Sequence, residues 1–177
     1  MTTKGTPKGT VTDLNDFLQP GQPLPSEAVM IAKALEVLEA SPHGQQLTNF
    51  AGKKDITIKI MATPEPVTYI PEKKLVYIGF NQNKAPSPSQ FILMLAGALR
   101  EAQQEAAGIG HLGHEAPLEE HEKTSMAKYE DQVWYMCTVA WELNEQSAFS
   151  KYKFVDVLRK MGHNEAVDLF LKQEGKV

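Results

Sequence analysis

The amino-acid sequence predicts an α+β fold, with a small three-stranded sheet early in the chain and a helical C-terminal half. Three observations carry this expectation. Ile56, Ile58 and Ile60 alternate with Thr57 and Lys59, the period-two signature of a strand with one face on a core. Two further β-prone runs, Val67 to Ile70 and Leu75 to Phe80, flank Pro71-Glu72-Lys73-Lys74, where proline suits the second position of a tight turn. From Ser87 onward the apolar residues recur three and four apart, which is the helical period. The three strands are expected to form an antiparallel sheet, since the hairpin is short and an isolated pair would be marginal without a third strand and covering helices.

Residues Met1 to Pro25 are rich in Thr, Gly, Pro and Lys and have no apolar h-region. They read as a flexible N-terminal arm that is neither a secretory signal nor a membrane anchor. Pro25-Ser26-Glu27 opens a helix in which Val29, Ile31, Ala32, Ala34, Leu35, Val37 and Leu38 recur at helical spacing, and Pro42 is expected to end it. A weaker helical turn follows at Gln45 to Phe50, and Gly52-Lys53-Lys54 turns the chain into the first strand. Thr63, Pro64, Glu65 and Pro66 form a turn, because neither proline can donate to a sheet ladder.

The helix Ser87 to Gly108 has the clearest start in the chain. Ser87 caps it, Pro88 takes the first helical position, and Gln90 completes a Ser-x-x-Gln capping box, while Gly108 suits the left-handed stop. Phe91, Leu95, Ala98, Leu99, Ala102 and Ala106 share one face. A mobile-looking stretch, Ile109 to Pro117, leads to the longest helix, Leu118 to Ser147. Its stripe of Met126, Tyr129, Val133, Met136, Cys137, Ala140, Leu143 and Asn144 is wide enough for a core face, flanked by Trp134 and Trp141. Phe154 to Met161 and Glu165 to Lys172 form a final helical pair, split by Gly162-His163-Asn164, where Asn164 can cap the second.

Composition sets the outer limits. The 177 residues, 42% hydrophobic, suit one domain over 26–177 with a core that needs no metal or disulfide staple. The net charge of -4 comes from interspersed signs, so nucleic acid is not an expected partner. The longest mainly apolar run, Phe91 to Leu99, falls far short of a membrane span, so the chain is expected to be soluble. Cys137, the single cysteine, reads as a small core residue in a reducing, cytoplasmic setting.

Catalytic signatures are sparse: there is no Gly-rich phosphate loop, no Gly-x-Ser-x-Gly elbow and no paired cysteine. His111, His114, Glu115 and His121, in GHLGHEAPLEEHE, have the residue types a divalent metal takes, but their spacing matches no strong motif. Gly110, Gly113 and Pro117 mark this segment as loop, so a solvated connection is the expectation and metal binding the alternative.

A leading helix, a strand, the hairpin with Tyr69-Ile70-Pro71 and Leu75-Val76-Tyr77-Ile78, and the helix LAGALREAQQEA resemble a zinc metallopeptidase family of the zincin-like type, over about residues 26 to 150. The resemblance implies a zincin-like minimal core. In that family the helix reads Leu-x-His-Glu-x-x-His-Ala-x-Gln, whose two imidazoles bind zinc and whose Glu acts on the bound water. Matching Leu95, Ala102 and Gln104 puts Gly97 and Glu101 where the two His ligands would stand, and Ala98 where the catalytic Glu would stand. The third ligand is a downstream Glu, for which Glu145 in Glu145-Gln146-Ser147-Ala148 is the best match. Glu101 and Glu145 are hard ligands, better suited to Ca or Mg than to zinc, and too few for a site.

The resemblance therefore implies a degenerate member: a non-catalytic, pseudo-metallopeptidase-like domain without cofactor that binds a protein or peptide, with the cleft between the hairpin edge and the Ser87 helix as the place. The alternative is a metal-dependent hydrolase with an atypical His/Glu site built from His111, His114, Glu115 and His121.

Overall fold

The computed structural model describes residues 26–61, 68–80 and 86–176. The N-terminal arm expected at 1–25 and the turn at Thr63 to Pro66 lie outside the described residues. Helix α1, Glu27–Leu38, begins where the Ser26 hydroxyl accepts the Val29 N–H, and it buries Met30, Ala34, Val37 and Leu38. Its successor corrects the sequence expectation. Pro42 does not merely end α1; it opens a full helix α2, Pro42–Lys53, as the N1 residue after the Ser41 cap. Proline is tolerated there because the first helical N–H needs no intrahelical partner. The buried Ser41 hydroxyl accepts the Gly44 N–H at 2.8 Å.

Three strands follow: β1, Thr57–Met61; β2, Thr68–Ile70; and β3, Leu75–Gly79. A 3₁₀ turn over Pro71–Lys73 joins the last two, with Lys74 held left-handed at φ 46°. The α+β class is as expected, but the pairing is not wholly antiparallel. The sheet order is β1-β3-β2, with β2 antiparallel to β3 and β1 parallel to β3, Ile58 facing Val76 and Ile60 facing Ile78. Alternation specifies which face of a strand is buried but not its direction, so only the hairpin pair was determined by local sequence. The middle place goes to β3, whose Val76 and Ile78 are fully buried. The outer edge of β1 is closed in part by α1, as the Ile60 N–H donates to Glu27 Oε1 at 2.8 Å.

Helix α3, Pro88–Ala106, starts with the expected capping box: the Ser87 hydroxyl accepts the Gln90 N–H at 3.2 Å, and Gln90 Oε1 accepts the Ser87 N–H at 2.9 Å. It ends in a Schellman motif around Gly108 at φ 71°, with Ile109 N–H on the Gln104 carbonyl and Gly108 N–H on that of Glu105. Phe91, Leu95, Ala98, Leu99 and Ala102 are buried, so α3 is the central post of the core, packing on the sheet, α1, α2 and α4. Each such large side chain stabilises the fold by roughly 2 kcal/mol.

Helix α4, Leu118–Glu145, runs antiparallel to α3, since Gly97 meets Met136, Arg100 meets Asp131 and Gln104 meets Lys128. Val133, Met136, Cys137, Ala140 and Leu143 are buried as expected. Met126 and Tyr129, expected in the same stripe, are 63% and 57% exposed. By this register Ala106, the last residue of α3, lies level with about position 126, so Met126 stands at the edge of that cover, while Tyr129 is on the α6 side, beside His163 just ahead of α6. After a 3₁₀ turn at Ser150–Tyr152 come α5, Phe154–Lys160, and α6, Asn164–Gln173, with Gly162 at φ 97° between them. His163 rather than Asn164 takes the cap position of α6. Contacts of His163 with Tyr129, Phe170 with Trp134 and Lys176 with Trp141 show that α6 runs parallel to α4.

Candidate functional site

Positions 97, 98 and 101 lie on the part of α3 enclosed by neighbours. Gly97 sits under Met136 of α4: a Cβ built on Gly97 would lie 2.9 Å from Met136 Sδ, closer than carbon and sulfur approach without one of them moving. Ala98 is buried in the core. Glu101 is half-buried, and desolvation raises its pKa above the usual carboxylate value, with Lys128 opposing and Glu105 reinforcing the shift.

Around Glu101 the α3–α4 seam is polar. The Arg100 guanidinium forms a two-pronged bond to Asp131, Nε to Oδ2 at 2.8 Å and a terminal nitrogen to Oδ1 at 3.2 Å, and lies 4.5 Å over the Tyr135 ring. Gln104, only 1% exposed, is fully satisfied: Nε2 donates to the Lys128 carbonyl and to Asp131 Oδ2, and Oε1 accepts from Gln132. Arg100 holds the Asp131 carboxyl below its usual range. Glu105 bonds Lys128 and, at 2.8 Å, His111, and its pKa is likewise lowered, chiefly by Lys128. Bidentate arginine–carboxylate pairs of this kind fix geometry as well as adding energy.

The seam extends to α2 through residues whose role was not legible in the sequence. Tyr135 donates its hydroxyl to the His43 carbonyl, and the His43 ring Nδ1 lies 2.5 Å from Glu142 Oε1 while its backbone N–H donates to Oε2. Glu142 points away from the apolar stripe on the helical wheel, and that direction is where α2 packs. This network is fully partnered: no buried side-chain nitrogen or oxygen among the described residues lacks a hydrogen bond.

Glu145 is not part of it. The antiparallel register sets Glu101 level with about position 132, which leaves Glu145 roughly 20 Å away along the α4 axis, and its side chain is exposed near the helix end. The structure thus does not bring Glu101 and Glu145 together. Nor does it gather the histidines: His111 is engaged with Glu105, His114 and Glu115 are exposed, and His121 is part of the first turn of α4. No group of three or more His, Cys, Asp or Glu side chains among the described residues is placed to hold a metal ion. Cys137 is buried, and burial pushes its thiol up to about 11.

A groove of about 720 Å³ lies elsewhere, between α4 and α6. Tyr129, Val133 and Trp134 form one wall, with His163, Ala166 and Leu169 opposite. Behind that wall Trp134 meets Phe170 edge to face, with ring centroids 5.0 Å apart. No helix among the described residues is long and apolar enough to cross a membrane. Comparison with protein families, with curated proteins and with solved structures finds no match to this chain.

Proposed function

We propose that this chain is a non-catalytic domain of metallopeptidase-like build that acts by binding a protein or peptide. The observation that carries this is the packing of Met136 on Gly97: where the resemblance calls for a zinc-binding imidazole, the space beside the helix is filled by a thioether from α4. The neighbouring position gives further support. Ala98 offers no carboxylate to activate water, and it is buried. Glu101 is left as a single half-buried carboxylate, and a hard cation needs more oxygen ligands than one. The domain in this proposal needs no cofactor and works in a reducing, cytoplasmic compartment, where the buried Cys137 stays a thiol.

The test is metal content and cleavage measured on the same tag-free protein. Zinc far below one ion per chain and no cleavage of generic fluorogenic peptides are expected. Stoichiometric zinc, or cleavage, lost in Glu101→Gln or Glu145→Gln, would overturn the proposal.

A further inference from the structure

We propose that the α4–α6 groove is the binding surface and that its occupant is an amphipathic helical segment of another protein, apolar on one face and carrying Lys or Arg beside that face. The inference rests on the partner-binding role proposed above and names the site and the chemistry.

The groove runs between two parallel helices, which is the surface into which a third helix packs ridge into groove. Two of its apolar side chains are open to solvent, Tyr129 at 57% exposed and Leu169 at 50%, and Met126, outside the lining, stands exposed a turn away on α4. Such residues are ordinary singly, but Tyr129 and Leu169 line one concavity together with Trp134. Met126 and Tyr129 are also the continuation of the stripe that forms the core. Val133, Met136, Ala140 and Leu143 are covered by the chain itself, whereas Met126 and Tyr129 have the same spacing and no cover.

Charge selects among possible occupants. The lining includes Glu130 and Glu165 and no lysine or arginine. Both carboxylates are exposed, and neither has an ion-pair partner among the described residues, in contrast to Glu105, Asp131 and Asp168, each of which faces a cation. An apolar slot between two unpaired carboxylates attracts a ligand with apolar anchors at i, i+3, i+4 and i+7 and cations beside them. A second copy of this chain matches less well, because it would set Glu130 and Glu165 of one copy against the same two residues of the other across a two-fold interface.

The probe is a synthetic peptide of Leu and Lys, about 18 residues or five helical turns long, with Leu at that spacing; its counterpart carries Glu in place of Lys. In the full chain with Trp141→Phe, Trp134 in the groove is the sole tryptophan, and its emission reports occupancy. Saturable binding of one Leu/Lys peptide per chain is expected, at least about tenfold tighter than the Leu/Glu peptide, a difference of roughly 1.4 kcal/mol. Leu169→Glu is expected to weaken it about tenfold or more. The double change Glu130→Lys and Glu165→Lys, at exposed positions that do not threaten folding, is expected to reverse the preference between the two peptides.

Absence of binding overturns the inference, as does binding that survives both sets of changes, which is nonspecific attraction to an acidic protein. Self-association abolished by Leu169→Glu overturns it in favour of a second copy. The non-catalytic role fails on a separate readout, zinc content and cleavage, so the two failures are distinguishable.

Discussion

Replacing Gly97 with histidine tests whether the seam between α3 and α4 is closed. A Cβ at this position already lies 2.9 Å from Met136 Sδ, so an imidazole requires the thioether to leave the place it fills. Forcing a side chain into a filled site costs about 1–3 kcal/mol. Removing glycine from a helix interior offsets a few tenths of this. Gly97→His is therefore expected to lose about 2 kcal/mol of stability. Met136→Ala, which removes a buried side chain, is expected to lose about 2–3 kcal/mol on its own. In the double variant the imidazole takes the volume that the thioether vacated, so the combined loss should fall short of the sum by at least about 1 kcal/mol. Urea unfolding followed by tryptophan emission measures all four proteins, with unchanged slope as the sign that midpoints report stability. Losses that add to within about 0.5 kcal/mol would refute the claim that Met136 occupies the Gly97 position.

Gly44 marks a second close approach: a Cβ there would lie 2.1 Å from the Leu38 carbonyl oxygen, a backbone atom that cannot swing aside. Gly44→Ala is expected to lose about 3 kcal/mol, a drop of roughly 6–12 °C in thermal midpoint, whereas Gly52→Ala in the same helix, with open space around it, should gain slightly; equal effects would contradict the packing at the α1–α2 corner. Glu101 makes a pH-dependent prediction. Burial raises its folded pKa above the ordinary 4.5, so the stability it contributes is fully present below that value and is lost as pH rises through the folded pKa. Glu101→Gln stays neutral throughout and should be more stable than the parent at pH 7, with the gap closing toward pH 4.5; thermal midpoints across that range that show the parent more stable at pH 7 would count against the buried setting.

Much of the site region was readable from single residues. Ser87, Pro88, Gln90 and Gly108 mark the ends of α3 because caps and stops depend on hydrogen bonds within four residues of the helix end. The departure at Gly97, Ala98 and Glu101 was likewise visible, since the compared motif is local. What packs on these positions was not. Met136 is distant in sequence, and nothing near Gly97 announces that a thioether will lie on it. Glu145 matches the resembled family's third ligand by its short segment alone, yet α3 and α4 pair in a register that leaves it far from Glu101. His43 and Glu142 are not legible as a pair for the same reason: they meet only because α2 packs across α4, 99 positions apart in the chain.

The sequence by itself determined the identity and ends of most elements, which follow from period, capping and turn chemistry acting over a few residues. It also determined that α3 carries no His-Glu-x-x-His segment, which is read directly from its residues. Only the tertiary structure decided the direction of β1, the helix that Pro42 begins, and which part of the α4 stripe is covered. These depend on where neighbouring elements stop. Because α6 begins only at Asn164, with His163 just ahead of it beside Tyr129, one continuous apolar stripe is core at Val133 and open surface at Tyr129.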